Sequence, residues 1–347
     1  MENKIADLEI KMVNEVAGNF SRHPSQLNQL MEADAEIIDL KNKNIDYLVV
    51  KTDGLHEEIS EKLYEDPFLI GWMSVTATLS DLAAVAAEPL GLLLSLQLTK
   101  NTNRKWLGAF KKGINTACSF YGVNVLGGDT NLDSVFSVST TGIGTITHTR
   151  PLLRKALLPG ELLYATGKLG IGNAYAYFRF FNSSVNVNYQ PVARLTESTF
   201  IKKYATACID TSDGFFPALS VLSTINRVGI KITTPLQRLL DKTTLNVYQY
   251  SGLPAWMFLA GPHGEYELLF SIPPAMRNRF EQACTDWEWE PILIGEITEG
   301  DSVQFSSEEM EIECSPSVIA NLFTESNGDI QCYFENLTRQ HKLWSQQ

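Results

Sequence analysis

The sequence predicts a two-domain protein of mixed α and β structure. Its 347 residues are enough for two domains with sizeable cores. Strand-like and helical segments alternate along the chain. Pro151, Pro159 and Gly160 mark a linker-like stretch, and a new strand pattern begins at Glu161. We therefore expect one domain over residues 1–150 and a C-terminal α/β domain over residues 151–347.

In the first half, helical spacing of apolar residues predicts a helix over residues 2–20. Strands are predicted at residues 33–40 and 47–54. A helix follows from Asp66, whose carboxylate suits an N-cap before Pro67, to about Ala87. A strand at 92–98, a helix at 106–121 and a strand at 135–146 complete this half. Between the last two, residues 123–126 form an apolar run that ends in a glycine turn.

In the second half, a strand is predicted at residues 161–166, followed by a helix through Tyr175 and Phe178. Another helix begins at Phe215, directly after a strand that ends at Asp210. Residues 291–297 and 302–305 indicate further strands. From Pro316 onward the sequence has no clear periodicity.

Composition limits the function. The formal charge of −12 argues against a nucleic-acid-binding protein, because no basic patch could recruit a phosphate backbone. The five cysteines form no C-x-x-C pair, which disfavours a zinc site and suits reduced thiols. The N-terminus does not resemble a signal peptide, and no apolar stretch is long enough to cross a membrane. We expect a cytoplasmic protein with no membrane partner.

Carboxylates at the ends of predicted elements, or among small residues, are the main chemical signal. They are Asp34, Asp53, Asp81, Asp129, Asp210 and Asp213. A buried carboxylate without a partner is costly, so the one set in the apolar helix should face a cation or hydrogen-bond donors. Turns and helix caps are the ordinary roles of the others. Together they could hold several Mg²⁺ ions.

Two further features favour phosphate chemistry. The glycines of Leu126–Thr130 let a backbone approach an anion and offer it N–H groups. Arg154 is a guanidinium that could bind phosphate bidentately, although most such arginines are plain surface groups. The five histidines are dispersed. Because phosphoryl transfer needs mainly positioning and charge neutralisation, a metal-rich ATP site fits better than acid–base hydrolysis.

Four motifs, in their order and spacing, resemble the thiamine-monophosphate kinase family, which belongs to the aminoimidazole ribonucleotide synthetase superfamily. They are Ser80–Ala84, Gly127–Thr130, Ile209–Gly214 and Tyr266–Pro273. The resemblance implies two α/β domains and a homodimer in which the N-terminal sheets of two subunits join into a barrel. It also implies in-line transfer of the ATP γ-phosphate to a small-molecule phosphate acceptor, with several Mg²⁺ ions between them.

The resemblance also implies roles for individual residues. The metal ligands would be Asp34, Thr52, Asp53, Asp81, Asp129, Asp210 and Asp213. The ATP contacts would be Gly128, Arg154 and Ser212. The acceptor would lie near Ser60, Gly264 and Glu265. No further catalytic residue is implied, because a phosphate acceptor is already ionised and needs no strong general base.

The acceptor side departs from the family pattern. Ser60 stands where the family has a histidine, Gly264 replaces a glutamate, and Glu265 replaces an aspartate. Near the N-terminus Ala33 replaces the first of two aspartates, so only Asp34 remains. The residues on the ATP and metal side largely match the family pattern. Three functions follow: a thiamine-monophosphate kinase, a related ATP-dependent enzyme that activates an amide or carboxylate oxygen, and a nucleotide-binding protein without turnover.

Overall fold

The computed structural model describes residues 27–29, 32–39, 45–181, 186–307 and 310–346. Within them the chain forms two β-sheets, each with helices packed against it. The helix predicted over residues 2–20 lies outside the described residues.

The first sheet has five strands in the order β1-β2-β5-β3-β4. The strands are β1 (Glu36–Asp39), β2 (Tyr47–Gly54), β3 (Glu88–Thr99), β4 (Val125–Asp133) and β5 (Ser137–Ile146). Only β3 and β4 pair in parallel, and the other neighbours are antiparallel. The sheet is open, with β1 and β4 at its edges.

Three helices accompany this sheet: α1 (His56–Ser60), α2 (Pro67–Ala84) and α3 (Arg104–Tyr121). The Asp66 carboxylate accepts a hydrogen bond from Phe68 N at 3.0 Å, which confirms the predicted N-cap of α2. The helix ends at Ala84, three residues before the predicted end. Nearly all of α2 is buried, because it packs against α3 and against strands β2, β3 and β5.

The second sheet has seven strands in the order β12-β11-β8-β10-β6-β9-β7. They are β6 (Leu162–Ala165), β7 (Cys208–Asp210), β8 (Gly229–Ile232), β9 (Leu268–Ile272), β10 (Ile292–Thr298), β11 (Val303–Ser307) and β12 (Met310–Cys314). Every residue of β9 is buried. The core includes the fully buried rings of Phe215, Phe216, Phe270 and Phe280.

The helices of the second half surround this sheet. They are α4 (Ile171–Phe181), α5 (Leu195–Ile201), α6 (Phe215–Asn226), α7 (Leu236–Leu239), α8 (Lys242–Ser251), α9 (Met257–Ala260), α10 (Arg277–Asp286), α11 (Pro316–Thr324) and α12 (Ile330–Trp344). A 3-10 turn, Pro274–Met276, precedes α10. The sequence beyond residue 316, which showed no periodicity, therefore forms two helices.

Helix α2 also contacts the second half of the chain, through α5 and the edge strand β7. It therefore lies between the two sheets. The last turn of this helix is the place where residues from both halves meet.

One prediction for the first half was wrong. The glycines at 127 and 128 do not end a strand but lie inside β4, which continues to Asp133 beside β3. The backbones run close together here, since a Cβ on Gly128 would lie 1.9 Å from Leu94 O. Glycine at this position permits a ladder contact and not a turn.

No described helix is long and apolar enough to cross a membrane.

Helices α2 and α3 touch through two glycines. A Cβ on Gly113 would lie 2.1 Å from Phe68 O, and one on Gly71 would lie 2.1 Å from Phe110 O. The Gly113→Ala variant should therefore lose about 1–3 kcal/mol of unfolding free energy, as overpacked cores do. Chemical denaturation monitored by circular dichroism measures this loss.

Gly108 provides the matched control on the same helix. It is exposed, and an added Cβ would meet nothing within 4 Å. Gly108→Ala should therefore stabilise the protein by roughly 0.5–1 kcal/mol, because alanine favours a helix over glycine. Equal effects of the two substitutions would contradict the close helix contact.

Candidate active site

Three carboxylates from distant parts of the sequence meet where the two halves of the chain join. Asp34, Asp81 and Asp210 are each only 4% exposed. One oxygen from each lies within 4.8 Å of the corresponding oxygens of the other two. We call these three residues the carboxylate cluster.

Each member is placed by a different element. Asp34 precedes β1, Asp81 lies in the last turn of α2, and Asp210 ends β7. The site exists because α2 brings its last turn against the edge of the second sheet. Ser80, next to Asp81, donates a hydrogen bond to Asp210 Oδ2 at 2.7 Å and so links the two halves.

The cluster is only partly satisfied by hydrogen bonds. Ser212 Oγ donates to Asp210 Oδ1 at 3.1 Å, so both oxygens of Asp210 have hydroxyl partners. In contrast, Asp34 Oδ2 is buried and has no hydrogen-bond partner among the described residues. A buried carboxylate oxygen without a donor is costly and is available to a cation.

Two side chains bring positive charge to the cluster. Arg154 donates from Nη2 to Asp34 Oδ1, and Lys51 Nζ lies 3.2 Å from Asp81 Oδ2. Burial alone would lower the pKa of Lys51. The carboxylates around it, Asp81 first among them, outweigh burial and hold its pKa above the ordinary value.

Carboxylates still outnumber cations. Burial, with Asp34 as a like-charged neighbour, raises the pKa of Asp210 to about 7, although Ser80 and Arg154 oppose the shift. A divalent cation would relieve the same repulsion. Hard carboxylate oxygens are the donors that Mg²⁺ prefers, so these residues fit that ion, and Asp34 Oδ2 would be an open ligand.

Strand β2 carries two other predicted metal ligands, Thr52 and Asp53, and it places them on opposite faces of the sheet. Successive residues of a strand point to opposite faces, so Asp53 shares a face with Lys51 and not with Thr52. Asp53 Oδ1 accepts a hydrogen bond from Gly54 N at 2.8 Å. Thr52 Oγ1 is exposed and hydrogen-bonded to Thr141 Oγ1 at 2.7 Å. Asp53 therefore borders the cluster, whereas the Thr52 hydroxyl points to the other face of the sheet.

Asp129 and Gly128 lie away from the cluster of their own chain. Both are exposed on β4, the edge strand of the first sheet. Three strand spacings separate β4 from β2, which amounts to roughly 14 Å along the sheet. The Asp129 carboxylate accepts hydrogen bonds from Thr130 N at 2.9 Å and from Asn131 Nδ2 at 2.6 Å.

The Asp210–Gly214 segment packs tightly against the loop that contains Gly264. Gly264 N donates to Ser212 O at 3.0 Å, and a Cβ at this position would lie 1.7 Å from Thr211 O. Tyr189 Oη holds the other side of the loop by donating to Gly264 O at 2.8 Å. Only glycine fits this contact. Asp213, at the outer side of the segment, is exposed.

Glu265 points into the protein. It is 3% exposed, and its Oε2 accepts a hydrogen bond from Gly170 N at 2.9 Å, just before α4 begins. Its Oε1 has no hydrogen-bond partner among the described residues. Burial raises the pKa of Glu265 to about 8. The adjacent Tyr266 has φ 61°, a strained conformation for a bulky residue.

Glu267 fixes the position of this loop. Arg194 binds its carboxylate through two nitrogens, and Thr166 Oγ1 donates to Oε2 at 2.6 Å. The backbone of Glu267 exchanges hydrogen bonds with Thr211, through the Glu267 N to Thr211 Oγ1 contact at 3.0 Å and the Thr211 N to Glu267 O contact at 2.8 Å. The loop and the segment that carries Asp210 are therefore held as one unit.

Ser60 ends the short helix α1 and is exposed, with its hydroxyl donating to Glu57 O at 2.9 Å. His56 starts the same helix and lies 3.1 Å from Ser137 Oγ. Glu58 lies between them. Burial, with Asp53, Glu57 and Asp213 adding negative charge, raises the pKa of Glu58 to about 7.

The sequence reasoning missed Lys51, Glu58 and Arg194. The first had a usable signal, because alternation along β2 puts it on the face of Asp53. Arg194 had none, since its partner Glu267 is distant in sequence, and the burial that raises the pKa of Glu58 depends on the fold.

Glu265 should make stability depend on pH. Its folded pKa of about 8 lies above its ordinary value of 4.5, so the folded state keeps a proton that the unfolded state releases. The stabilisation is complete below pH 4.5 and is lost as the pH rises toward 8. Glu265→Gln should remove this share of the decline, which amounts to a few kcal/mol, on the order of 1.4 per pKa unit. Asp210 and Glu58, whose pKa values are also raised, keep their own shares in the variant, so its profile should be shallower than that of the wild type.

Denaturation midpoints measured from pH 5 to about 8.5 test this prediction. Glu299→Gln, at an exposed position, should keep the wild-type pH dependence. A Glu265→Gln profile that parallels the wild type would show that Glu265 is ionised in the folded protein.

Residues 32–146 match the family model described as AIR synthase related protein, N-terminal domain. Thiamine-monophosphate kinase from Methanospirillum hungatei is 31% identical over 260 residues, which cover 73% of this chain and 82% of that one. The enzyme of that name from Buchnera aphidicola is 31% identical over 69% of this chain and 75% of its own.

A similar solved structure, AaThiL complexed with AMPPCP and TMP, covers 90% of this chain and 97% of its own, with a TM-score of 0.70 at 22% identity. At that identity the likeness concerns the fold, and it confirms the mixed α/β fold class expected from the sequence. The identity with the curated relatives over most of both chains shows more. This chain belongs to the thiamine-monophosphate kinase family.

Proposed function

We propose that this protein is an ATP- and Mg²⁺-dependent kinase that transfers the γ-phosphate of ATP to thiamine monophosphate, giving thiamine diphosphate. The carboxylate cluster Asp34, Asp81 and Asp210, buried where the two halves of the chain meet, carries this proposal. The names of the curated relatives support the reaction. The presence of AMPPCP, an ATP analogue, in the AaThiL structure supports the nucleotide.

The side chains suit this reaction because it needs charge neutralisation and positioning. Mg²⁺, when bound, supplies positive charge that offsets the phosphate oxygens. Asp34, Asp81 and Asp210 would hold it, with Asp53 and Asp213 close by. Ser80 and Ser212 orient Asp210 through their hydrogen bonds. Arg154 can turn its guanidinium from Asp34 to an ATP phosphate, since both offer paired oxygen acceptors.

The acceptor would approach from the side of α1 and the Gly264 loop. Ser60 is exposed there, and Gly264 contacts the backbone of Ser212 directly. We assign Glu265 a supporting role in this subsite, because its carboxylate faces the start of α4. An acceptor phosphate is already ionised, so no side chain has to remove a proton.

We further propose that the protein is a homodimer joined through the first sheet. All nine residues of β4 are exposed, including the apolar Val125, Leu126 and Leu132. An open edge strand with apolar side chains is a surface that a second copy would cover. Such a dimer would bring Asp129 and Gly128 of one copy toward the carboxylate cluster of the other.

Purified protein supplied with Mg-ATP and a panel of acceptors tests the proposed reaction. ADP should be released in proportion to thiamine diphosphate when thiamine monophosphate is present, and not without an acceptor. Product analysis by chromatography confirms where the phosphate has gone. An acceptor panel that also contains amides and carboxylates separates the related functions.

ADP release only with an amide or carboxylate would replace the kinase by an acceptor-activating enzyme. Tight Mg-ATP binding without turnover on any acceptor would indicate a nucleotide-binding protein. Asp81→Asn should lower turnover about a hundredfold or more, because the charge that binds the metal is lost. An exposed control, Asp301→Asn, should retain wild-type turnover.

A mixing experiment tests the position of Asp129. Asp81→Asn and Asp129→Asn should each be nearly inactive alone. If Asp129 completes the site of the other copy, mixed dimers have one intact site. In an equal mixture of the two variants, half of the dimers are mixed, and each of these has one intact site out of two. The co-refolded chains should therefore regain about a quarter of wild-type activity.

Recovery would place Asp129 in the partner's site. A mixture that stays as inactive as its components would show that Asp129 acts within its own chain. Chains that remain monomeric in ultracentrifugation would exclude the dimer itself.

A further inference from the structure

Lys51 carries positive charge into the carboxylate cluster, where it faces Asp81. Its Nζ lies 3.2 Å from Asp81 Oδ2, and the Asp81 side chain is only 6% exposed. Asp53, Asp34 and Asp210 are the other carboxylates whose charges act on it. Arg154 is the other described cation in ion-pair contact with the cluster, and it binds a different carboxylate, Asp34.

The direction of the Lys51 side chain follows from the fold. Lys51 pairs with Gly142 on β5, so both residues project from the same face of the sheet. A Cβ on Gly142 would lie 2.7 Å from Thr78 Cγ2 and 3.2 Å from Leu82 Cδ1, both on α2. That face is therefore the one covered by α2. The close helix packing brings Lys51 to Asp81.

The three carboxylates of the cluster have three different kinds of partner. Asp210 has two hydroxyl donors, Asp34 has a guanidinium, and Asp81 has the ammonium of Lys51. An ammonium that binds a carboxylate oxygen takes a position that a divalent cation would otherwise use. It also keeps N–H donors for phosphate oxygens, since it has three.

We propose that Lys51 is a fixed cation that takes the place of one divalent ion in this site. The inference depends on the metal site proposed above and specifies how this chain fills it. Asp81 then offers only its other oxygen to a metal, and the chain needs one divalent ion fewer than it would without the lysine. Part of the charge that neutralises ATP is thus built into β2.

Counting bound Mn²⁺ tests this proposal, because Mn²⁺ accepts the same oxygen ligands as Mg²⁺. Equilibrium dialysis with Mn²⁺ alone, without ATP or acceptor, gives the number of ions per chain. Lys51→Met should bind about one more Mn²⁺ than the wild type, because removing the ammonium frees a carboxylate oxygen. Lys231→Met, which changes an exposed lysine on β8, should keep the wild-type number.

Thermal unfolding provides a second measurement. Without divalent ions, Lys51→Met should unfold at a lower temperature than the wild type, because Asp81 is left without its cation. Added Mg²⁺ should then raise its midpoint more than that of the wild type. Lys51→Gln, which keeps a hydrogen-bond donor without the charge, should show the same extra ion if the methionine variant does not fold.

An unchanged number of Mn²⁺ ions in both Lys51 variants, with unchanged affinity, would overturn the proposal. Lys51 would then be an ordinary ion-pair partner of Asp81. The count uses neither ATP nor acceptor, so it stands whether or not the chain phosphorylates thiamine monophosphate. If the protein phosphorylates thiamine monophosphate but the wild type and the Lys51 variants bind the same number of Mn²⁺ ions, only the role proposed for Lys51 is refuted.

Discussion

The burial of helix α2 is the constraint on which the rest of the structure depends. It packs on the first sheet and α3 on one side and on α5 and β7 on the other. In its last turn, Asp81 and Ser80 are therefore buried, and water cannot stabilise the charge of the carboxylate or hydrogen-bond the hydroxyl. Both side chains must find partners from other elements, and those partners, Lys51 and Asp210, form the site. A single buried turn thus determines where the chemistry can occur.

Much of the fold could be predicted because local patterns are strong where elements are long and have one apolar face. The Asp66–Pro67 start of α2 and the strands of the first half show this clearly. The prediction was wrong at residues 127–128, where glycines usually end a strand but here permit close contact with Leu94 of β3. It found no pattern beyond Pro316, where α11 and α12 pack their apolar residues on several neighbours at once. Those contacts are not encoded by spacing within the segment.

The candidate site divides in the same way. A carboxylate among small apolar residues, as at Asp81, has few physical explanations, so the sequence predicted its involvement. The meeting of Asp34, Asp81 and Asp210 depends on how the two sheets dock, which local sequence patterns do not encode. The motif resemblance implied that all three are metal ligands, and the structure shows that they lie together. Lys51 was not predicted as a site residue, because a lysine in a strand is usually solvated. This one is only partly exposed, because α2 lies close to the sheet at Gly142 and brings Asp81 to the ammonium group.

The hydrogen bond between Ser80 and Asp210 joins the two halves of the chain at the carboxylate cluster itself. A cation held by Asp34, Asp81 and Asp210, as proposed, would take ligands from both halves, so its binding energy would oppose their separation. Docking of the halves and occupancy of the proposed site would therefore be thermodynamically linked. An ion bound there would slow the exchange of amide hydrogens along β7 and the end of α2, because it would hold the two sheets together reversibly.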